Sequence, residues 1–151
     1  MLDESAKANS NYHDMDELLE AEQEVAECTP VLSTHPLYIL YTSGTTGAPK
    51  GVVRDQGGTA VGLDWCMKHV FDVHNDSVHF AGSDIGWVVG HSFIVYGPML
   101  RGAACVFFEG KPVMGKNAAI MWERCAKYKV TSLYMAPTAV RVIKKEDYDG
   151  E

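Results

Sequence analysis

Several features that would assign a class to this 151-residue sequence are absent from it. No apolar run approaches the roughly 20 residues that a membrane-spanning helix needs. The first residues, "MLDESAKANS", contain no apolar stretch of the kind that signal peptides carry. Lysine and arginine form no basic stripe with interleaved aromatic residues. The sequence therefore predicts a protein that acts neither in a membrane nor on nucleic acid.

Cysteine is sparse and contains no C-x-x-C pair; the four positions are Cys28, Cys66, Cys105 and Cys125. Their spacing fits neither a metal knuckle nor a dense disulfide framework, which favours a reduced, intracellular protein. His69, His74 and His79 recur every five residues, so they would lie on different faces of a helix. We expect them to be solvated or capping histidines, and the sequence predicts no metal site.

Acidic charge is concentrated at one end of the chain. Residues 1–30 carry nine acidic residues and one lysine, whereas residues 31–151 are nearly neutral. The net charge of −7 therefore says nothing against a phosphate site in the larger part. The pattern predicts an acidic N-terminal segment and connector over 1–36, with a short amphipathic helix at 14–27, and a folded domain over 37–151.

From residue 37 onward, apolar runs of strand length alternate with helix-length segments. The predicted strands are 37–42, 77–82, 103–108 and 130–135, and the predicted helices are 57–72, 89–101, 117–129 and 137–146. This order predicts an α/β fold with a mostly parallel sheet flanked by helices. In such sheets ligands bind in the loops after the carboxyl ends of the strands, which directs attention to "TSGTTGAPKG", "GSDIGWVVGHS", "EGKPVMGK" and "APTAVR".

The first of these loops, from Thr42 to Gly51, is rich in hydroxyl groups and glycine. Glycines let backbone N–H groups approach an anion closely, and Lys50 adds a mobile positive charge suited to a phosphate. The spacing is not that of a Walker motif, because no Ser or Thr follows Lys50. The loop predicts a phosphate site, and a plain surface loop of small polar residues is the alternative.

The string "YTSGTTGAPKGV" resembles the phosphate loop of the adenylate-forming, or AMP-binding, superfamily. "DIGWVVGHSFIVYGPMLRGA", "FEGKPV" and "YMAPTAVR" are similar to its acetyl- and propionyl-CoA synthetase branch, and the double valine after Trp87 leans towards propionyl-CoA synthetases. The resemblance covers roughly residues 14–146. It implies that 37–151 is a partial AMP-binding domain, an internal fragment of the family's large N-terminal domain.

The activity that the resemblance implies is short-chain acyl-CoA synthesis. ATP, propionate or acetate, and CoA would give acyl-CoA, AMP and pyrophosphate through an acyl-adenylate, with Mg²⁺ present. The family's adenine motif, ribose-binding Asp and C-terminal catalytic Lys have no counterpart here, so no catalytic residue is assigned and the 151 residues alone are expected to be inactive. The implied compartment is the cytoplasm or the mitochondrial matrix. The alternative is a truncated, non-catalytic nucleotide- or acyl-CoA-binding domain with a regulatory or structural role.

The resemblance also implies three groups of site residues. The phosphate-binding group is Thr42, Ser43, Gly44, Thr45, Thr46, Gly47 and Lys50. The acyl-pocket group is Trp87, Val88, Val89 and His91. A weaker group on the CoA path is Ala136, Pro137 and Thr138. Three alternatives stay open: Trp87 fills the core, His91 makes a structural hydrogen bond, and Pro137 simply begins a helix.

Overall fold

The computed structural model describes residues 13–22, 26–43, 47–115 and 117–147. The chain divides into two compact units at Val31 and Leu32, and the boundary predicted at residue 36 stays a prediction. Among the residues that the structure describes, no helix has the length and apolar character needed to cross a membrane. All four cysteines are free.

The first unit contains one described helix, α1 (Met15–Ala21). It begins at Asp14, whose carboxylate accepts a hydrogen bond of 3.0 Å from the N–H of Asp16. Such a cap satisfies one of the free donors at the start of a helix. The helix is shorter than the predicted span of 14–27, part of which, residues 23–25, lies outside the described residues.

The second unit holds the remaining described elements: a hairpin of two strands comes first, and helices separate the three later strands. In chain order they are β1 (Pro36–Thr42), β2 (Lys50–Asp55), α2 (Gln56–His69), β3 (Val78–Gly82), α3 (Val88–Gly90), a π-helical stretch (His91–Tyr96), α4 (Gly97–Leu100), β4 (Ala104–Val106), α5 (Ile120–Tyr128), β5 (Ser132–Met135) and α6 (Pro137–Glu146).

Strands β3, β4 and β5 form a parallel sheet in the order β4-β3-β5. At its centre Phe80 of β3 pairs with Val106 on one side and Leu133 on the other. The short apolar strands and the helices between them produce this arrangement, because a parallel connection needs a crossover. The predicted α/β class with a mostly parallel sheet is therefore confirmed.

The prediction for the first strand was wrong in one respect. Residues 37–42 do form a strand, but β1 pairs antiparallel with β2 in a separate two-stranded sheet. Thr42 lies opposite Lys50 in this hairpin. Ile39 and Tyr41 are 58% and 72% exposed. The prediction failed because the apolar composition of β1 is the same as that of a strand buried in a parallel sheet. Strand β2 was not predicted at all.

Both faces of the parallel sheet are covered at its central strand. Successive residues of a strand point to opposite faces, and the neighbours His79 and Phe80 of β3 are both fully buried. On one face Phe80 packs in a core with Ile120 and Met121 of α5 and Ile143 of α6. Burying a side chain of this kind contributes roughly 1.5–3 kcal/mol. On the other face His79 lies edge to face against Phe71, at a centroid distance of 5.5 Å.

His79 corrects the expectation that the three spaced histidines are solvated or capping. It lies on a central strand rather than a helix, and it is fully buried. Its Nδ1 lies 3.1 Å from the hydroxyl of Ser132 on β5, and Nε2 has no hydrogen-bond partner among the described residues. Burial lowers the pKa of His79 from its usual 6.5, and the backbone of Phe93 offsets this only in part.

Candidate functional site

The predicted phosphate loop connects the two paired strands β1 and β2. Because Thr42 and Lys50 are opposite each other in the hairpin, the structure brings together the two ends of the predicted group. Both side chains are exposed, as is Ser43. Gly47 has a φ of +82°, a conformation that favours glycine over other residues. Gly44, Thr45 and Thr46 lie outside the described residues.

A tight turn after β3 leads into the predicted acyl-pocket segment. The carboxylate of Asp84 accepts a hydrogen bond of 2.7 Å from the N–H of Gly86, and the Asp84 carbonyl accepts one of 3.2 Å from the N–H of Trp87. Gly90 packs so closely against the backbone of Asp84 and Ile85 that a Cβ at this position would overlap with it. The turn and the close contact together fix the start of α3 beside the end of β3.

A cavity of about 850 Å³ lies at the carboxyl ends of β3, β4 and β5. This is where ligands bind in sheets of this kind. Three loops that the sequence singled out contribute to it: the segment after β3, the "EGKP" segment after β4 and the start of α6. The described residues that line it include Trp87, Val88, Val89, Lys111, Ala136 and Thr138.

Of the four predicted acyl-pocket residues, Trp87, Val88 and Val89 line this cavity and His91 does not. Trp87 is 69% exposed, so it forms a wall at the rim rather than filling the core. His91 instead contacts Tyr38 of β1 edge to face, at a centroid distance of 5.4 Å. Its Nδ1 is buried without a hydrogen-bond partner in the described part of the chain.

The predicted CoA-path residues divide in the same way. Ala136 and Thr138 line the cavity, whereas Pro137 does not. Pro137 begins α6, and the carbonyl of Ala136 accepts a hydrogen bond of 2.9 Å from the N–H of Ala139. The fixed φ of proline suits this first helical position. The structure therefore agrees with the alternative that Pro137 begins a helix.

Sequence reasoning assigned no role to the other residues that line the cavity, among them Asp84, Glu109, Lys111 and Met121. The first three lie in loops that follow strands, which was the signal that could have identified them. Met121 lies on α5 and is 2% exposed. Nothing in its local pattern distinguishes it from a core residue, so the sequence offered no signal for it.

Within the described ranges, no group of three or more His, Cys, Asp or Glu side chains could hold a metal ion. The acidic residues at the cavity, Asp84 and Glu109, are both exposed. Oxygen ligands are what Mg²⁺ prefers, and nucleotide enzymes supply it with one or two carboxylates besides the phosphates. The described residues thus offer no assembled magnesium site.

A parallel sheet with a wide cavity at its carboxyl edge is the arrangement in which α/β proteins bind ligands. The family model for AMP-binding enzymes matches residues 2–150. The chain belongs to this family.

The relatives narrow the resemblance within the family. The chain is 52% identical over 136 residues to acyl-CoA synthetase short-chain family member 3, mitochondrial, of Bos taurus, covering 90% of this chain and 20% of that protein. It is 46% identical over 132 residues to acetyl-coenzyme A synthetase 1 of Kluyveromyces lactis, covering 87% and 18%. These matches confirm the resemblance to the short-chain acyl-CoA synthetase branch. The chain spans about a fifth of the length of the curated relatives it matches.

Solved structures agree with this fold. The crystal structure of Brucella canis acyl-CoA synthetase matches with a TM-score of 0.73 at 28% identity, over 87% of this chain and 23% of that one. The anthranilate CoA ligase AuaEII, in complex with anthranoyl-AMP, matches with the same TM-score at 22% identity, over 87% and 25%. The second likeness supports the fold alone.

Proposed function

We propose that this chain forms part of an AMP-forming acyl-CoA ligase that acts on short carboxylates, with propionate preferred over acetate. In the first step a carboxylate oxygen attacks the α-phosphorus of ATP, the bond to the β-phosphate breaks, and pyrophosphate leaves. In the second step the CoA thiolate attacks the acyl carbonyl carbon, and AMP leaves. The names of the relatives support the ligase class.

One observation carries the proposal. Trp87, Val88 and Val89, proposed to contact the acyl group, line the same cavity as Ala136 and Thr138, proposed to lie on the CoA path. Acyl transfer requires the thiol to meet the acyl carbonyl, so both groups must open into one space. A volume of about 850 Å³ exceeds what a two- or three-carbon acid needs, and it leaves room for a thiol arm beside the acyl group.

The hairpin turn is proposed to hold the departing pyrophosphate. Adenylate formation brings anions together, so fixed N–H donors and positive charge near the β- and γ-phosphates lower its barrier. Thr42, Ser43 and Gly47 would supply donors, with Gly44, Thr45 and Thr46 between them, and Lys50 would supply the charge. The exposed position of Thr42, Ser43 and Lys50 leaves this turn open to a nucleotide.

Propionate is proposed because Val88 and Val89 give the cavity an apolar lining next to Trp87. A methylene in an apolar pocket is worth only about 1–3 kcal/mol, so acetate would be a weaker substrate rather than an excluded one. Mg²⁺ would accompany ATP, although the described residues offer no assembled site for it. The mitochondrial matrix is the proposed compartment, in line with the relatives named mitochondrial; the cytoplasm is the alternative.

The test is a pyrophosphate-release assay on the protein at its native length, with ATP, Mg²⁺ and CoA. Acetate, propionate, butyrate and benzoate are compared at matched concentrations. We expect carboxylate-dependent release of pyrophosphate and AMP, fastest with propionate and weak with benzoate. The 151 residues alone, tested in parallel, are expected to give no turnover, because they leave adenine and ribose unheld.

Two outcomes would contradict the proposal. Release of ADP and phosphate would point to a different phosphoryl chemistry. Binding of ATP or acyl-CoA by the native-length protein, measured by calorimetry, without turnover of any acid would instead favour the non-catalytic binding domain.

A further inference from the structure

Met121 is a core residue that also faces the cavity. It is 2% exposed and packs with Phe80, Ile120 and Ile143 in the core of the second unit. The same side chain lines the cavity at the ends of the strands. Met121 therefore lies between the packed core and the cavity.

Gly82, the last residue of β3, makes room for this side chain. A Cβ on Gly82 would lie 2.8 Å from Cε of Met121 and 3.2 Å from Cγ of Met135. The distance of 2.8 Å is shorter than packed carbon atoms allow, so a larger residue at position 82 would displace the end of the Met121 side chain. Gly82 also lines the cavity, which means that strand, glycine and methionine meet at its floor.

We propose that Met121 sets the depth of the cavity and thereby the longest carboxylate that it accepts, with Gly82 allowing the thioether to lie flat against β3. The proposal rests on the proposed ligase function, since it assigns the acyl chain to this floor. Methionine suits such a position because it is unbranched and flexible and fills irregular gaps.

Truncating Met121 would deepen the cavity. The cavity lies on one side of Met121 and the packed residues Phe80 and Ile143 lie on the other, so the space released would open towards the ligand. Each methylene accommodated in an apolar pocket changes kcat/KM by about 10- to 200-fold. We therefore expect Met121→Ala to favour longer acids strongly.

A side chain at position 82 would have the opposite effect. The added Cβ in Gly82→Ala meets Met121 Cε, and the core behind Met121 is filled by Phe80, Ile120 and Ile143. The thioether can therefore move only towards the cavity, which makes it shallower. Two single substitutions at one contact are thus expected to shift chain-length preference in opposite directions.

The experiment compares four forms of the native-length protein: unsubstituted, Met121→Ala, Gly82→Ala and Ile143→Ala. Ile143 belongs to the same core but does not line the cavity, so Ile143→Ala controls for a loosened core. The measurement is kcat/KM for propionate and pentanoate. We expect the pentanoate-to-propionate ratio to rise about tenfold or more in Met121→Ala, to fall in Gly82→Ala and to stay unchanged in Ile143→Ala.

An unchanged ratio in Met121→Ala, in a protein that activates propionate, would overturn this inference and leave the proposed function intact. An equal rise in Ile143→Ala would overturn it as well. If Met121→Ala does not fold, Met121→Val takes its place, with a smaller rise expected in the same direction.

If the unsubstituted protein activates none of the acids, the proposed function fails and a binding measurement decides the inference. Protein labelled with ¹³C at its methionine methyl groups is titrated with pentanoate, and the Met121 signal is assigned from its loss in Met121→Leu. A saturable shift of that signal that is larger for pentanoate than for propionate supports the inference. No shift, or equal shifts for the two acids, would overturn it.

Discussion

Tyr38 and His91 lie edge to face, with ring centroids 5.4 Å apart and ring planes inclined by 63°. Tyr38 also stacks on Tyr96 at 6.0 Å, with nearly parallel planes. His91 and Tyr96 are the first and last residues of the π-helical stretch, which follows α3 and its cavity residues Val88 and Val89. One tyrosine of β1 therefore joins the hairpin that carries the proposed phosphate turn to the segment that lines the cavity.

Loss of the Tyr38 ring is expected to weaken ATP use while leaving the fold intact. Aromatic pairs contribute about 0.5–1.5 kcal/mol beyond their buried area, so Tyr38→Ala should raise the KM for ATP by roughly two- to tenfold. Tyr38→Phe keeps both ring contacts and should stay close to the unsubstituted protein. The measurement is steady-state kinetics with ATP varied at saturating propionate. A Phe variant as impaired as the Ala variant would assign the effect to the hydroxyl instead.

Acid is expected to destabilise the parallel sheet through His79. Because burial lowers its pKa in the folded protein, the unfolded chain binds more protons below pH 6.5, and the free energy of unfolding falls as pH drops through that value. The loss continues until the pH reaches the lowered pKa of the folded state. His79→Phe should remove this part of the pH dependence.

The measurement for His79 is urea-induced unfolding between pH 5 and pH 8. His74 is the matched control because it is exposed, with Nε2 3.1 Å from the carboxylate of Asp72. His74→Asn removes an exposed histidine in place of the buried one, and the two variants are compared over the same pH range. The same pH dependence in His79→Phe as in the unsubstituted protein would show that another group is responsible.

Arg101 is expected to stabilise the junction of α2 and α4 more than its ion pair alone suggests. Its guanidinium donates to Asp64 at 2.9 Å and to the carbonyl of Val73 at 3.3 Å. The pair is partly exposed, so solvent reduces its contribution to below about 1 kcal/mol, whereas a hydrogen bond from a charged group contributes about 1.5–3 kcal/mol. Arg101→Met should cost about 1–2 kcal/mol and Asp64→Asn less than about 1 kcal/mol, measured by denaturant unfolding. Equal losses would assign the whole effect to the ion pair.

Val89→Thr is expected to shift preference from propionate towards acetate. The substitution places a hydroxyl where a methyl lines the cavity, which penalises the longer apolar chain. The propionate-to-acetate ratio of kcat/KM should fall about tenfold. Val61→Thr is the control, because Val61 is 72% exposed and does not line the cavity. An unchanged ratio in Val89→Thr would remove Val89 from the acyl-binding surface.

The fold could be predicted from the sequence where the apolar or polar composition of a strand matches how deeply that strand is buried. Strands β3, β4 and β5 are short apolar runs separated by helices, an order that favours a parallel sheet, and the central strand β3 is buried on both faces. Strand β1 has the same composition but is largely exposed in a hairpin. Composition alone does not reveal which strand pairs with which, because pairing depends on residues distant in sequence.

The cavity residues that could be predicted from the sequence are those that belong to contiguous sequence motifs. Trp87, Val88, Val89, Ala136 and Thr138 were identified through the resemblance to a known family, which rests on contiguous motifs in the loops after strands. Met121 reaches the cavity only because α5 packs across the sheet. Contacts of this kind arise from tertiary packing and leave no periodic signal in the sequence.

Formation of the acyl-adenylate tests the proposed function most directly. The native-length protein is incubated with ATP, Mg²⁺ and propionate without CoA, and the products are quantified by mass spectrometry. The expected result is enzyme-bound propionyl-adenylate and an equal amount of pyrophosphate, with release of AMP and propionyl-CoA only after CoA is added. Consumption of ATP to ADP, or pyrophosphate formed equally without propionate, would contradict it.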